Sequence, residues 1–195
     1  MKENEYLIYA SYLKKRSFLG YLYRKLWLYP SLSKWINGKC VDIGCGIGDF
    51  LSFHKSAVGY DINPLNVEYC LQRGLDARIM LINSLPIKEG DINSVIIDNV
   101  IEHIENPIPL LNEIYRVLKD DGVLLIGVPG VLGFQADSDH KIMYNEKSLY
   151  ELAAKSLFKI EKFIYFPFIK SDFLSNNINQ YCIYTIWRPM KNEKI

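Results

Sequence analysis

Short apolar runs that predict β-strands alternate with segments that predict helices through the middle of the chain. The predicted strands cover 39–43, 57–61, 76–82, 93–98 and 123–128, and the predicted helices cover 49–55, 64–73 and 108–119. A turn at 120–122 is expected to lead into the last of these strands. Alternation in units of about 30 residues predicts an α/β fold, in which a parallel sheet carries helices on both faces.

The last third of the chain breaks this alternation. A helix is predicted over 146–154, followed by strands over 158–166 and 181–187. Only the stretch 167–179, which has no clear helical period, separates those two strands. We therefore expect an antiparallel excursion at the edge of the sheet.

The composition is that of an ordinary globular protein of one domain, with 49% hydrophobic and 23% charged residues in a chain of 195. This excludes disordered, collagen-like and coiled-coil chains. The four cysteines form no CxxC pair and match no zinc spacing, which predicts reduced thiols. The most apolar long stretch, 123–134, is too short to span a bilayer, and the first residues show no signal-peptide pattern. A cytoplasmic protein without a transmembrane segment is expected.

Residues 1–36 differ from the rest of the chain in charge and aromatic content. Seven lysine and arginine residues against two glutamates give this segment a charge of +5, and it holds nine of the 26 aromatic residues. We expect a helical N-terminal extension that packs one stripe of side chains on the domain formed by 37–195. That stripe is Leu19, Leu22, Tyr23 and Leu26. A lid, a membrane-surface helix and a nucleic-acid patch remain open as roles for the same segment.

The most informative motif is Val41-Asp-Ile-Gly-Cys-Gly-Ile-Gly48, at the end of the first predicted strand. Its alternating glycines allow the backbone to turn tightly and to approach a ligand closely. Asp61 ends the second predicted strand, 17 residues after Gly44. A carboxylate at that place can accept hydrogen bonds from both hydroxyls of a ribose, so the motif predicts a nucleotide-like ligand.

Two classes of cofactor compete for this loop. A dinucleotide site requires G-x-G-x-x-G, whereas this loop is G-x-G-x-G and follows Asp42 closely. A nearby carboxylate suits a cationic ligand better than a diphosphate. S-adenosyl-L-methionine (SAM), with its sulfonium, ammonium and ribose, is such a ligand. A purely structural glycine turn is the third interpretation.

The segments VDIGCGIG, GYDIN, IEHIENP and YRVLKDDGVLLIGVP resemble the successive motifs of the class I SAM-dependent methyltransferases. The resemblance covers 39–129, continues more weakly to about residue 166, and is to the branch that methylates small molecules, including methyltransferases of surface-polysaccharide and sugar pathways. It implies a Rossmann-like, doubly wound sheet of seven strands, mostly parallel with an antiparallel last strand. It also implies SAM as cofactor and S-adenosyl-L-homocysteine as product.

The same resemblance implies a set of cofactor contacts. The glycine loop would cradle the methionine portion, Asp61 would hold the ribose hydroxyls, and Ile62 would cover the adenine. Leu81 and Ile82 stand where the family usually has an acid, so the adenine edge is assigned to the backbone or Asn83. The predicted cofactor-binding residues are Asp42, Gly44, Cys45, Gly46, Gly48, Asp61, Ile62, Asn83, Asp98 and Asn99.

Two of the three histidines are candidate catalytic residues. His140 lies in a polar loop after the fifth predicted strand, which overhangs the mouth of such a sheet, and Asp137 or Asp139 is expected to orient its imidazole. His103 follows the fourth predicted strand close to the cofactor. His54 is expected on an outer helix face without a catalytic role. A divalent metal site is an alternative for the Asp/His cluster, but its spacing matches no standard ligand set, so no metal is predicted.

These observations predict a SAM-dependent methyltransferase that acts on a small-molecule hydroxyl, such as a sugar in glycan or polysaccharide biosynthesis. The acceptor is then a small molecule or a lipid-linked glycan. One alternative is a non-catalytic protein that binds SAM or its product as a partner. Another is a methyltransferase for RNA or a lipid-linked acceptor. Nucleic acid is not favoured, because 98–101 reads Asp-Asn-Val-Ile where base-amine methyltransferases carry an Asn-Pro-Pro-Tyr type of tetrapeptide.

Overall fold

The computed structural model describes residues 18–191, and their strands form one seven-stranded sheet. The strands are β1 (Cys40–Ile43), β2 (Val58–Asp61), β3 (Ala77–Ile79), β4 (Ile92–Asp98), β5 (Leu118–Pro129), β6 (Phe158–Phe166) and β7 (Cys182–Pro189). Their order is β3-β2-β1-β4-β5-β7-β6. The first five strands pair in parallel, and β7 pairs antiparallel with both β5 and β6. The predicted mostly parallel sheet with an antiparallel last strand is confirmed.

Helices cover both faces of the sheet. They are α1 (Phe18–Tyr23), α2 (Tyr29–Ser33), α3 (Asp49–Phe53), α4 (Pro64–Gln72), α5 (Ile108–Val117), α6 (Val131–Gln135), α7 (Glu146–Lys155) and α8 (Asp172–Asn177), with a π-helical turn over Arg24–Leu28 and a 3₁₀ turn over Ile101–His103. The Asn63 side chain caps α4 by accepting from the Leu65 N–H, and Asn145 forms a capping box with Ser148 at α7. No helix within residues 18–191 has the length and apolar character needed to cross a membrane.

Two apolar clusters hold these layers together. Val95 and Ile97 in β4 pack with α5 and α7, whereas Ile96 faces the other cluster, which contains α3 and α4. All three of these strand residues are fully buried. A strand buried on both faces reads as a continuous apolar run, and this explains why β4 was predictable from its sequence.

The N-terminal segment packs through a stripe that agrees only in part with the predicted one, because Tyr23 packs half-buried against the second core cluster but two of the predicted leucines do not. Leu19 and Leu26 are 76% and 69% exposed, whereas Leu28, Tyr29 and Leu32 are buried. The π-helical turn over Arg24–Leu28 changes the helical period, so residues after it face a direction that α-helical spacing does not predict. Residues 1–17, including the basic cluster at 14–16, lie outside the described part.

Two local expectations in the second half are wrong. The predicted turn at 120–122 belongs to β5, because Leu118 already pairs with Ile92, and Arg188 of β7 donates to the carbonyls of Asp121 and Gly122. The irregular stretch before β7 contains α8, which has no buried residue and therefore leaves no periodic apolar signal.

Candidate active site

The glycine loop connects β1 to α3 and depends on glycine at several positions. The φ angles of Gly44, Gly46 and Gly48 are 71°, 53° and 78°, in the left-handed region that favours glycine. A Cβ added at Gly44 would lie 2.5 Å from Cγ2 of Val100, so space as well as conformation excludes a side chain there. The Gly44 N–H donates to the Tyr60 carbonyl of β2 at 2.7 Å, which holds the loop at the carboxyl end of the sheet.

Cys45 lies in this loop with its side chain turned into the core. It is buried, and a Cβ added at Gly59 would lie 2.7 Å from its sulfur. The thiol of Cys70 in α4 donates to the Gly46 carbonyl at 3.3 Å, which links the loop to α4. Cys45 therefore offers its backbone, not its thiol, to the side of the loop that faces a ligand.

Asp61 joins the glycine loop to the start of α4. Its Oδ2 accepts hydrogen bonds from the Gly46 N–H at 2.8 Å and from the Asn66 amide at 3.2 Å, and its Oδ1 accepts from the Asn63 N–H at 2.8 Å. Burial raises the pKa of Asp61, and the hydrogen bonds from Asn63 and Gly46 oppose that shift. A carboxylate has about four acceptor positions, so these three bonds leave room for a further donor.

Three carboxylates lie at or near the carboxyl ends of neighbouring strands, namely Asp42 in β1, Asp61 in β2 and Asp98 in β4. Burial, together with Asp98 and Asp61, raises the pKa of Asp42 well above its usual range. Arg24 is a partly buried cation beside this group, with its Nη1 3.4 Å from Oδ2 of Asp49. The acids outnumber the cation, so this end of the sheet favours a positively charged ligand.

Asp98 is held by two donors at the end of β4. The Tyr184 hydroxyl donates to its Oδ1 at 2.5 Å, and the Asn99 amide donates to the same atom at 2.7 Å. Asn99 itself has a φ of 55°, and its N–H donates to the Gly127 carbonyl of β5. The sequence did not indicate a role for Tyr184, because a tyrosine within an apolar strand is also typical of a core residue.

Ile62 and Asn83 lie on the opposite side of the glycine loop. Ile62 follows β2 and packs half-buried against the first core cluster. Asn83 follows β3 with a φ of 58°, inside a turn in which the Ser84 N–H donates to the Leu81 carbonyl. The sheet order thus places the predicted adenine contacts toward the β3 edge and Asp98 and Asn99 at β4.

A cavity of about 270 Å³ opens beyond the carboxyl end of β4, on the side toward β5 and β7. Asn99, His103 and His140 line it from the sheet side and the loops, and Tyr23 and Arg24 line it from the N-terminal segment. The predicted adenine contacts and this cavity lie on opposite sides of Asp98. The cavity lining therefore does not include the predicted adenine contacts, Ile62 and Asn83.

His140 and His103 lie side by side in this cavity, with ring centroids 4.6 Å apart. His140 Nδ1 is 2.8 Å from the Phe134 carbonyl, and its Nε2 is 3.8 Å from Oε1 of Glu102. A carbonyl can only accept, so in the neutral imidazole Nδ1 carries the proton and Nε2 has the lone pair. The expectation that Asp137 or Asp139 orients His140 is wrong, because Asp139 contacts His103 Nδ1 instead, at 3.2 Å. Burial, then the neighbouring His140, lowers the pKa of His103.

Glu102 lies next to the two histidines, on their buried side. Its side chain is fully buried, and neither carboxylate oxygen has a hydrogen-bond partner within residues 18–191. Burial raises the pKa of Glu102 to about 8. Its backbone carbonyl accepts from the N–H groups of Lys141 and Ile142, which holds the His140 loop beside it. The sequence showed Glu102 next to His103 but gave no sign that His140 joins them.

His54 lies elsewhere, at the end of α3. Its ring stacks on Phe50 with centroids 5.6 Å apart, and its Nδ1 is 3.3 Å from the Ser56 hydroxyl. It does not line the cavity. His54 is therefore a suitable control position for experiments on the other two histidines.

Comparison with known proteins identifies the family. Residues 41–126, which include the glycine loop, Asp61 and Glu102, match the model of a methyltransferase domain. Residues 41–126 are therefore a methyltransferase domain. A SAM-dependent methyltransferase from Thermotoga maritima, described as a possible histamine N-methyltransferase, shares the fold with a TM-score of 0.73 at 18% identity, over 94% of this chain and 99% of that one. The predicted family and its cofactor, SAM, are thereby confirmed.

Two curated relatives represent the sequence matches. A probable SAM-dependent methyltransferase from Mycolicibacterium smegmatis is 26% identical over 69% of this methyltransferase chain and 57% of its own length. The tRNA (carboxymethyluridine(34)-5-O)-methyltransferase ALKBH8 of Macaca fascicularis is 34% identical over 45% of this chain and 14% of its own length. The chain spans about half the length, or less, of the curated relatives it matches.

The described residues fit SAM. The glycine loop turns at the carboxyl end of β1 through left-handed backbone conformations, and Asp61 beside it keeps an acceptor position for a ribose hydroxyl. The surplus of carboxylates around Asp42 and Asp98 complements the sulfonium and ammonium of the cofactor.

Proposed function

We propose that this methyltransferase transfers the methyl group of SAM to a hydroxyl of a small molecule, and that the acceptor is a sugar of a glycan or polysaccharide pathway. The observation that carries the proposal is the position of His140 and His103 on the wall of a cavity that begins at Asn99. Its volume of about 270 Å³ suits a small acceptor and excludes a bulky one from the reaction site.

The donor side of the proposal assigns each cofactor portion to residues of this chain. The glycine loop and Asp42 would hold the methionine portion, Asp61 the ribose, and Ile62 with Asn83 the adenine. Asp98 and Asn99 would border the reacting centre, because Asp98 ends β4 and Asn99, the next residue, lines the cavity. When bound, SAM supplies a methyl carbon already activated by its sulfonium, so positioning provides much of the catalysis.

On the acceptor side, His140 is proposed as the general base. A sugar hydroxyl is barely acidic and benefits from a group that removes its proton during methyl transfer. The bond between Nδ1 and the Phe134 carbonyl fixes the imidazole with its Nε2 lone pair available. His103, oriented by Asp139, is the second catalytic candidate beside it.

Residues 1–36 are proposed as a lid over the acceptor. Tyr23 and Arg24 line the cavity from this segment, while Leu28 and Leu32 anchor it in the core. The Tyr23 hydroxyl is buried and has no hydrogen-bond partner within the described part of the chain. A hydroxyl group of the acceptor would satisfy it, which supports a polar acceptor such as a sugar.

Methylation of RNA is the second candidate. The observation that favours it is the 34% sequence identity between part of this chain and the tRNA methyltransferase of Macaca fascicularis. The matched stretch is 45% of the chain, so it supports a common donor site more directly than a common acceptor.

The test is incubation of the purified protein with methyl-labelled SAM and separate fractions of small molecules, lipids and RNA. We expect label in the small-molecule fraction, on an alkali-stable ether of a sugar, and its loss in His140→Ala but not in His54→Ala. Label confined to RNA or to lipid would replace the sugar proposal. Intact SAM binding without transfer to any fraction would mean a non-catalytic SAM-binding protein.

A further inference from the structure

Glu102, His103 and His140 bring two imidazoles of the cavity wall and a buried carboxylate behind them close together. One potential ligand atom from each of the three lies within 4.8 Å of the other two. Two nitrogens and one carboxylate oxygen are a common ligand set for divalent transition-metal ions in proteins. The loop that carries His140 reaches this point only through tertiary structure, so the sequence spacing could not reveal the set.

The carboxylate of Glu102 gives an independent reason to expect a ligand. It is fully buried, and both of its oxygens lack hydrogen-bond partners within residues 18–191. A buried polar group without a partner is costly, and an ionised one more so. A cation bound between Glu102 and His140 would supply the missing partner and allow the carboxylate to ionise.

The histidines are oriented as metal ligands usually are. In metal sites a ligating histidine commonly donates its other ring N–H to a carbonyl or a carboxylate. His140 Nδ1 meets the Phe134 carbonyl at 2.8 Å, and His103 Nδ1 meets Asp139 Oδ2 at 3.2 Å. Both rings line the cavity, so an ion held there would keep open positions on the cavity side.

The separations are close to those of an occupied site. Two ligands about 2.0–2.1 Å from one tetrahedral ion lie roughly 3.3 Å apart. Nε2 of His140 is 3.8 Å from Oε1 of Glu102, so a small side-chain adjustment closes this pair around an ion. We propose that Glu102, His103 and His140 form a binding site for a divalent transition-metal ion such as Zn²⁺.

Occupation of this site has a consequence for the reaction. A metal ion bound to His140 uses the Nε2 lone pair that proton removal requires. The metal-bound and base-competent forms of the cluster therefore exclude each other, and Zn²⁺ inhibits methyl transfer reversibly. This inhibition rests on the proposed function, whereas metal binding itself does not.

Metal binding is tested on the full-length protein after treatment with a chelator, by titration with Zn²⁺ in a calorimeter. We expect one ion per chain, and at least tenfold weaker binding in Glu102→Gln and in His140→Ala. His54→Ala, which changes a histidine outside the cluster, should bind as the wild type does. Equal Zn²⁺ affinity in all four proteins, or no binding by the wild type, would overturn the site.

Two further measurements keep the result interpretable. Titration of the wild type with Co²⁺ should give d–d absorption without a thiolate charge-transfer band, since the ligands are nitrogen and oxygen. A thiolate band would place the ion at a cysteine and refute the proposal, even if a variant failed to fold. Inhibition by Zn²⁺ is measured on the same preparation and should be reversed by chelator. Zn²⁺ bound without inhibition would leave the site standing and remove His140 as the base.

Discussion

The hydroxyl of Tyr184 reaches Asp98 across a strand that lies between them. Tyr184 in β7 and Asp98 in β4 both pair with Gly127 of β5, so the three residues form one row across the sheet. A Cβ at Gly127 would lie only 2.4 Å from Cε1 of the tyrosine ring. The missing side chain of Gly127 is therefore what lets the ring cross the strand and hold the Asp98 carboxylate at the end of β4.

Gly127→Ala is expected to displace the Tyr184 ring. Overpacking of this kind typically costs about 1–3 kcal/mol of stability, and loss of the bond to Asp98 should weaken SAM binding as well. Denaturant unfolding and SAM calorimetry measure the two effects. Tyr184→Phe is the matched variant, because it keeps the ring and removes only the hydroxyl. It should reproduce the loss of SAM affinity with less loss of packing, and SAM affinity unchanged in both variants would refute a role for this row in the donor site.

Asp61→Ala should weaken SAM binding by at least ~10-fold. The variant removes the acceptor for the ribose and for the Gly46 N–H, and a hydrogen bond to a charged group contributes about 1.5–3 kcal/mol. Calorimetry gives the affinity, and circular dichroism checks the fold. Asp76→Ala is the control, because Asp76 is an exposed acid before β3 whose partner is the exposed Arg78. Equal losses in both variants would show a general charge effect and contradict the assignment of Asp61.

His140→Ala should lower kcat by roughly 10²–10⁴-fold in metal-free buffer while SAM affinity stays nearly constant. This is the effect of removing a general base that does not hold the cofactor. His103→Ala should cause a smaller loss, and His54→Ala none, in steady-state kinetics with the labelled acceptor. A larger loss in His103→Ala than in His140→Ala would transfer the role of base to His103.

Tyr23→Phe should raise the KM for the acceptor by roughly 3–10-fold without changing SAM affinity. The change removes the buried hydroxyl of a residue that lines the cavity, and a neutral hydrogen bond contributes about 0.5–1.5 kcal/mol. Stability should not fall, because that hydroxyl has no partner within residues 18–191. Leu26→Ala, an exposed change on the same segment, should leave both constants unaltered. An unchanged KM in Tyr23→Phe would mean that the segment does not contact the acceptor.

A point substitution tests the lid better than a deletion does. Removing residues 1–36 would strip Leu28, Tyr29 and Leu32 from the second core cluster, and each buried side chain of this size contributes about 1.5–3 kcal/mol. The deletion is therefore expected to unfold the domain or to destabilise it strongly. Its loss of activity would say nothing about acceptor binding.

Local sequence patterns were sufficient for the sheet and the donor loop. The run from Val95 to Ile97 is buried on both faces of the sheet, and a continuous apolar run in the sequence predicts such a strand. The glycines at 44, 46 and 48 adopt left-handed backbone conformations, and closely spaced glycines in the sequence predict such a loop. His140 lies 38 residues after Glu102 in the sequence. The two come together because backbone hydrogen bonds hold the His140 loop to the Glu102 carbonyl. No sequence period encodes such a contact, and the π-helical turn before Leu28 likewise breaks the period used to predict the N-terminal stripe.

The connection between β5 and α7 is tied to the protein at both of its ends by main-chain hydrogen bonds. The Gly130 N–H donates to the Tyr181 carbonyl at 2.7 Å, and the N–H groups of Lys141 and Ile142 donate to the Glu102 carbonyl. Even the contact that orients His140 within this connection uses a main-chain atom, the carbonyl of Phe134. Two positions of this connection are constrained as well, because the Phe134 ring stacks on His140 and a Cβ at Gly133 would lie 2.8 Å from the Asn179 carbonyl oxygen. Exposed side chains such as Gln135 can be exchanged without breaking these contacts. In evolution or in directed selection, this connection can acquire a preference for new acceptors while the reaction chemistry stays the same.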